Sequence, residues 1–183
     1  MNTRLAVAIA LLCSAPAALA QSDAEFLPMK AGARYEYQGK MGKFTVEVLT
    51  ATEDEARTRE VQKTGNSVIG DLVGDALYRQ GNDGVTAFRA ITSPLGRNEK
   101  MEAVLRFPLK VGSKWKDDEN VVYKVGARGV TVKVPAGEFK NCVRIDIYYR
   151  GKKMDASRWY APGVGLVKDG MRGDLVKVSG IGT

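Results

Sequence analysis

Apolar and polar side chains alternate with a period of two along most of this chain, most plainly in Phe44-Val46-Val48, Val130-Val132-Val134 and Val143-Ile145-Ile147-Tyr149. Between them stand Thr45 and Glu47, Thr131 and Lys133, and Arg144, Asp146 and Tyr148. Successive side chains of a strand point to opposite faces, so this spacing predicts strands with one face in a core and the other in water. Turn-forming residues interrupt the pattern at Gly39 to Gly42, Thr52-Glu53-Asp54, Asn82-Asp83-Gly84, Pro135-Ala136-Gly137 and Asp169-Gly170. The intervals are too short for helical crossovers between parallel strands. Only Ser67 to Leu77 has the spacing of a short helix, and Gly70 and Gly74 within it weaken that assignment. The prediction is an all-β domain, a single antiparallel meander of about ten strands curved into an open or half barrel with little helix.

One octet occurs twice, as Pro28-Met29-Lys30-Ala31-Gly32-Ala33-Arg34-Tyr35 and as Pro108-Leu109-Lys110-Val111-Gly112-Ser113-Lys114-Trp115. Proline fixes φ, glycine lets the chain reverse, and the aromatic anchors a new strand in the core. Two such heads suggest a pseudo-duplicated β unit, approximately 26–100 and 107–183. Chance recurrence of a common turn is the competing explanation.

The chain opens with Arg4, an apolar run from Leu5 to Cys13 and the small residues Ala18-Leu19-Ala20. That order is the pattern of a secretory signal peptide, residues 1–20, with cleavage after Ala20 and a periplasmic or secreted product. The apolar run is well short of the ~20 residues that cross a bilayer, and no transmembrane segment is expected. Residues 21–183 then form one β-rich domain. Cys142 is its only cysteine, so no internal disulfide is available. Composition favours a buried inert thiol, whereas strand parity places Cys142 on the wet face; the two arguments oppose each other.

The formal net charge of +7 favours anionic neighbours such as head groups, acidic polymers or acidic proteins. Outside the cytoplasm these do not include nucleic acid. The basic residues are spread along the chain, as on a solubilising surface.

Three segments carry a resemblance: Phe107 to Trp115, Val134-Pro135-Ala136-Gly137-Glu138-Phe139-Lys140-Asn141-Cys142, and Trp159-Tyr160-Ala161-Pro162-Gly163-Val164-Gly165-Leu166-Val167-Lys168. In this order and near this spacing they resemble a family of exported bacterial proteins without an assigned activity. The resemblance covers Phe26 onward. It implies a half-barrel-like β fold similar in outline to the sheets of periplasmic lipoprotein carriers, and it supplies no reaction and no site residue.

The chain has no histidine, which removes Ser-His-Asp and Cys-His catalysis and the commonest metal ligand. Asp117-Asp118-Glu119 lacks the alternating ligands of a calcium loop and reads as a solvated turn. No glycine-rich phosphate loop is present, and no cofactor or metal is implied. A carboxylate pair drawn from Asp146, Glu47 and Glu102 is formally open to hydrolytic chemistry.

The candidate ligand-binding residues are therefore Arg144, Asp146, Tyr148 and Arg150, one face of a strand whose other face is core, together with Trp115 and Trp159. The row carries two guanidiniums suited to a carboxylate or phosphate if the sheet curves toward it, and is an ordinary wet face otherwise. Trp115 and Trp159 stand beside Gly/Pro corners, where aromatics plug a barrel end or offer a ligand platform. The functional expectation is a non-enzymatic binding module for a lipid or amphiphile. An envelope assembly or protein-interaction partner is the alternative, and a carboxylate- or cysteine-based enzyme ranks third.

Overall fold

The computed structural model describes residues 22–40, 42–63, 71–93, 96–117, 120–170 and 172–180. Residues 1–20, the expected signal peptide, lie outside them. A short 3-10 turn, Asp23–Phe26, precedes β1 (Arg34–Gly39), β2 (Gly42–Ala51), β3 (Glu55–Lys63), β4 (Leu72–Gly81), β5 (Gly84–Ser93) and β6 (Gly96–Arg106). The chain continues through β7 (Lys114–Lys116), β8 (Val121–Val134), β9 (Gly137–Tyr149), β10 (Lys152–Lys153), β11 (Arg158–Ala161), β12 (Gly165–Asp169) and β13 (Gly173–Ser179).

Every ladder is antiparallel, in the order β6-β5-β4-β3-β2-β1-β13-β12-β11-β9-β8-β7, with β10 appended to β9. The sheet curls into a nearly closed barrel whose unsealed seam lies between β6 and β7. Among the described residues no helix is long and apolar enough to cross a membrane.

Alternation produces the strands as expected. Tyr35 and Tyr37 are buried on β1 while Arg34 and Gln38 are exposed, and Val143, Ile145 and Ile147 are buried on β9. Tyr149, expected in the same core row, is 43% exposed. It stands at the last position of β9, where the strand runs out past the core and turns through Arg150 and Gly151, both at positive φ. The weak helix over Ser67 to Leu77 is corrected over its described part. Leu72 to Leu77 belong to β4, hydrogen-bonded to β3 on one side and β5 on the other. Two ladders outweigh the helical spacing of a few apolar residues. Residues 67–70 lie outside the described residues.

The two octets fold alike. Gly32 N–H bonds to Val48 O, Ala33 N–H to Lys30 O, and Val48 N–H to Ala33 O; Gly112, Ser113, Lys110 and Val125 repeat this set bond for bond. Gly32 and Gly112 both take positive φ, +80° and +95°. The first octet leads into β1 to β6 and the second into β7 to β13, so the barrel consists of two half-sheets. They join through the β1–β13 ladder on one side and face each other across the seam on the other.

Two apolar clusters fill the molecule. One gathers Val85, Ala87, Leu105, Trp115, Tyr123, Val143, Ile145 and Tyr160, the other Tyr35, Tyr37, Phe44, Val48, Cys142, Val167 and Leu175. Cys142 and Val143 are both fully buried, one in each cluster. The long β8–β9 hairpin, bent by three register shifts, reaches across so that Ala136 at its tip donates to Leu175 O.

Candidate ligand site in the barrel lumen

Inward-pointing strand positions normally carry apolar side chains, but several here are charged. Glu60 follows Ala56 and Thr58 on the inner row of β3, and Arg89 follows Val85 and Ala87 on β5. Across the lumen, Glu102 on β6 faces Arg158 on β11. Arg89 binds Glu60 in a short ion pair and approaches Glu102 Oε2 with its Nε at 3.3 Å. Arg158 reaches Glu102 Oε1 at 2.5 Å and Asp169 Oδ2 at 3.2 Å, and Arg172 comes within 3.8 Å of Glu60.

Tyrosine hydroxyls complete the network. Tyr78 donates to Glu60 and accepts from Arg89 Nη2 at 2.6 Å, and Tyr123 donates to Glu102. Three guanidiniums thus meet three carboxylates, which is how charges survive in a lumen where an unpaired one would be very costly. Because its members come from both half-sheets, the network ties them together across the interior.

Burial alone would raise the carboxyl pKa of Glu102, but the adjacent Arg158 and Arg89 pull it down to about 2. Glu60 behaves similarly: desolvation is outweighed by Arg89 and Arg172 and by hydrogen bonds from Arg89 and Tyr78. Tyr37, Tyr78, Tyr123 and Tyr160 are all pushed up, chiefly by burial. Near neutral pH the two glutamates are therefore anions and the tyrosines neutral donors.

Beside this charged floor is a cavity of about 50 Å³ walled by Tyr35, Tyr37, Phe44, Tyr78, Tyr160 and Leu166. Tyr37 donates its hydroxyl to Leu166 O at 2.9 Å. The Tyr35 hydroxyl has no partner among the described residues, although Tyr35 is only 6% exposed. A crevice of about 230 Å³ lies next to the cavity, and Leu27, Pro28, Met29 and Tyr78 line both. The segment after the 3-10 turn is therefore the partition between lumen and surface.

That segment is moored by the turn itself. Phe26 is fully buried beneath the Arg128 guanidinium. Asp23 accepts from Leu109 N–H at 2.8 Å and pairs with Arg128 at 2.6 Å. Gly163 N–H bonds to Glu25 O.

The residues singled out from the sequence fall elsewhere. Arg144 and Asp146 lie on the face of β9 opposite Ile145, with Trp159 of β11 paired beside Arg144. Asp146 is buried and held by Arg144 at 2.9 Å, Lys153 at 3.1 Å and the Ser157 hydroxyl at 2.9 Å. Its carboxylate lies over Gly126, where a Cβ would come within 2.2 Å of it. Burial opposes ionisation, but these hydrogen bonds and charges hold its pKa low. Tyr148 is half-buried in register with Lys153, and Arg150 turns back over the Tyr149 ring. Trp159 has Lys168 near its ring.

Trp115 is apart from all of these, buried at the seam and stacked on Tyr123 with centroids 5.6 Å apart. The face thus brings Arg144, Asp146 and Trp159 together on the outside of the sheet but satisfies its carboxylate internally. Asp146, Glu47 and Glu102 do not meet: Asp146 is under the outer face, Glu47 is exposed and Glu102 is in the lumen. Among the described residues no group of three or more acidic or cysteine side chains is placed to hold a metal ion.

Apart from Glu102, named only as a possible carboxylate partner, the lumen charges escaped the sequence reading, although a signal was present. Glu60 continues the inner row of Ala56 and Thr58 and Arg89 that of Val85 and Ala87, and a charge at core parity needs a partner inside. No protein-family model, curated protein or solved structure matches the chain.

Proposed function

We propose that the protein is an exported, non-enzymatic binding module that takes a small amphiphile at the end of the barrel closed by Leu27 to Met29. The observation that carries this reading is the Tyr35 hydroxyl, buried without a partner among the described residues at an aromatic-walled cavity next to a fixed set of charges. Apolar walls with a few convergent polar groups are the usual composition of a small-molecule site. The lumen charges argue against proton transfer, because Glu60 and Glu102 are both held ionised by arginines whereas acid–base pairs need their pKa values driven apart.

Size constrains the occupant. A space of about 50 Å³ accommodates one or two waters, since each takes ~30 Å³ in the liquid. Anything larger enters by displacing Leu27 to Met29, which merges the cavity with the neighbouring crevice. Export accords with the leader pattern at Arg4, Leu5 to Cys13 and Ala18 to Ala20.

Titration of the leaderless chain with N-phenyl-1-naphthylamine tests the reading. Saturable fluorescence at one probe per chain is expected, and Val164→Trp, which fills the cavity from the loop before β12, should abolish it. A wild-type protein that shows no saturable signal and carries no co-purified small molecule in native mass spectrometry would end the proposal.

A further inference from the structure

Strand β6 ends the sheet order, and its first six residues, Gly96 to Met101, are all exposed. Ser93 pairs with Gly96 across a two-residue connection. The closing pair of such a hairpin is hydrogen-bonded, and bonded pairs then alternate along the ladder. Asn98 and Lys100 therefore turn their backbone groups to β5, while Arg97, Glu99 and Met101 turn theirs away. Ala103, two residues on in the same register, confirms the direction: its N–H and C=O point across the seam to Asp117 and Trp115. Beyond Ala103 the row continues with no strand beside it among the described residues.

We propose that a second copy of this chain pairs with that edge, β6 against β6 in antiparallel fashion about a twofold axis through Asn98. In that register Arg97 lies opposite Glu99 of the second copy, and Glu99 opposite Arg97 of the second copy. Backbone groups at both positions already face outward. A twofold through Glu99 would set that carboxylate against itself, and one through Lys100 would do the same with two ammonium groups. Like charges directly opposite one another destabilise a ladder, so charge complementarity selects one register. Charges on an edge usually deter pairing. Arg97 and Glu99 already pair within one chain at 2.8 Å, and the twofold exchanges these two internal pairs for two across the edge.

The contact is small, of the transient class. Sedimentation velocity over a concentration series of the leaderless chain tests it, with circular dichroism to verify folding. Wild type should show a reversible monomer–dimer equilibrium. Arg97→Glu and Glu99→Arg should each weaken it by tenfold or more, and the double exchange R97E/E99R should restore it. Glu99→Pro removes an N–H that points away from β5, and should abolish the dimer while leaving the hairpin paired. A monomer at all concentrations, or a dimer indifferent to these changes, would overturn the proposal.

Discussion

Trp115 donates its indole N–H to Ala103 O at 2.8 Å, across a gap that no backbone ladder closes among the described residues. Ala103 N–H in turn bonds to Asp117 Oδ1 at 3.2 Å, and Lys100 reaches the other oxygen of that carboxylate at 2.5 Å. The seam is thus stitched by side chains where strand pairing stops.

Trp115→Phe keeps an aromatic ring but leaves the half-buried Ala103 carbonyl unpaired, which should cost about 1–3 kcal/mol. Urea denaturation measures the loss, and hydrogen exchange should accelerate around Ala103 first. Trp159→Phe is the control, with a much smaller effect because no hydrogen bond holds the seam there.

Acid should loosen the lumen within a definite pH window. The folded pKa of Glu102 lies near 2, below its ordinary 4.5, so its contribution is fully present above about pH 4.5 and is lost as pH falls toward 2. The linkage is on the order of 3 kcal/mol for this carboxylate alone. Glu60 acts in the same direction. Arg158→Met should destabilise by about 3 kcal/mol at pH 7 by removing the Arg158 ion pairs of Glu102 and Asp169. It should also move the acid transition to higher pH; a transition unmoved by the substitution would contradict the network.

Tyr35→Phe should stabilise the ligand-free protein by about 1 kcal/mol, because it deletes a buried hydroxyl without a partner among the described residues. Chemical denaturation reads this directly. A loss of stability would mean that the hydroxyl is already satisfied.

The twin turns permit an internally controlled comparison. Added Cβ atoms at Gly32 and Gly112 would meet nothing within 4 Å, so Gly→Ala at either site tests backbone conformation alone. Each should cost about 1 kcal/mol or somewhat more, and the two costs should agree closely. Thermal unfolding of the two single variants is sufficient.

Cys142 is buried, its thiol is directed to Phe139 O at 3.3 Å, and desolvation raises its pKa. Labelling by a disulfide reagent at pH 8 should therefore be slow in native protein and immediate in denaturant. Rapid native labelling would contradict the packing around the β8–β9 hairpin.

The strands were legible because alternation is local: Val143, Ile145 and Ile147 declare their face without reference to any partner. Cys142 resolves differently. Parity alone places it in water, but the bent hairpin covers both faces of β9 at that point, and a bend built from three register shifts leaves no mark in the alternation. The lumen network was hidden for a related reason. Glu60 and Arg158 are far apart in sequence, and only barrel curvature brings them to one interior. Arg144 and Asp146 were correctly assigned to one face, but Lys153 and Ser157, which occupy that carboxylate, arrive from beyond the next turn.

The ladder between Arg34–Gly39 and Gly173–Ser179 joins the earliest strand of the sheet to the latest. During synthesis the opening half-sheet must wait, one border bare, until the strand Gly173–Ser179 has emerged. This ladder is thus the last of the sheet that can form, and contacts between such distant segments are slow to form. The interval before it is when a holding chaperone would matter most.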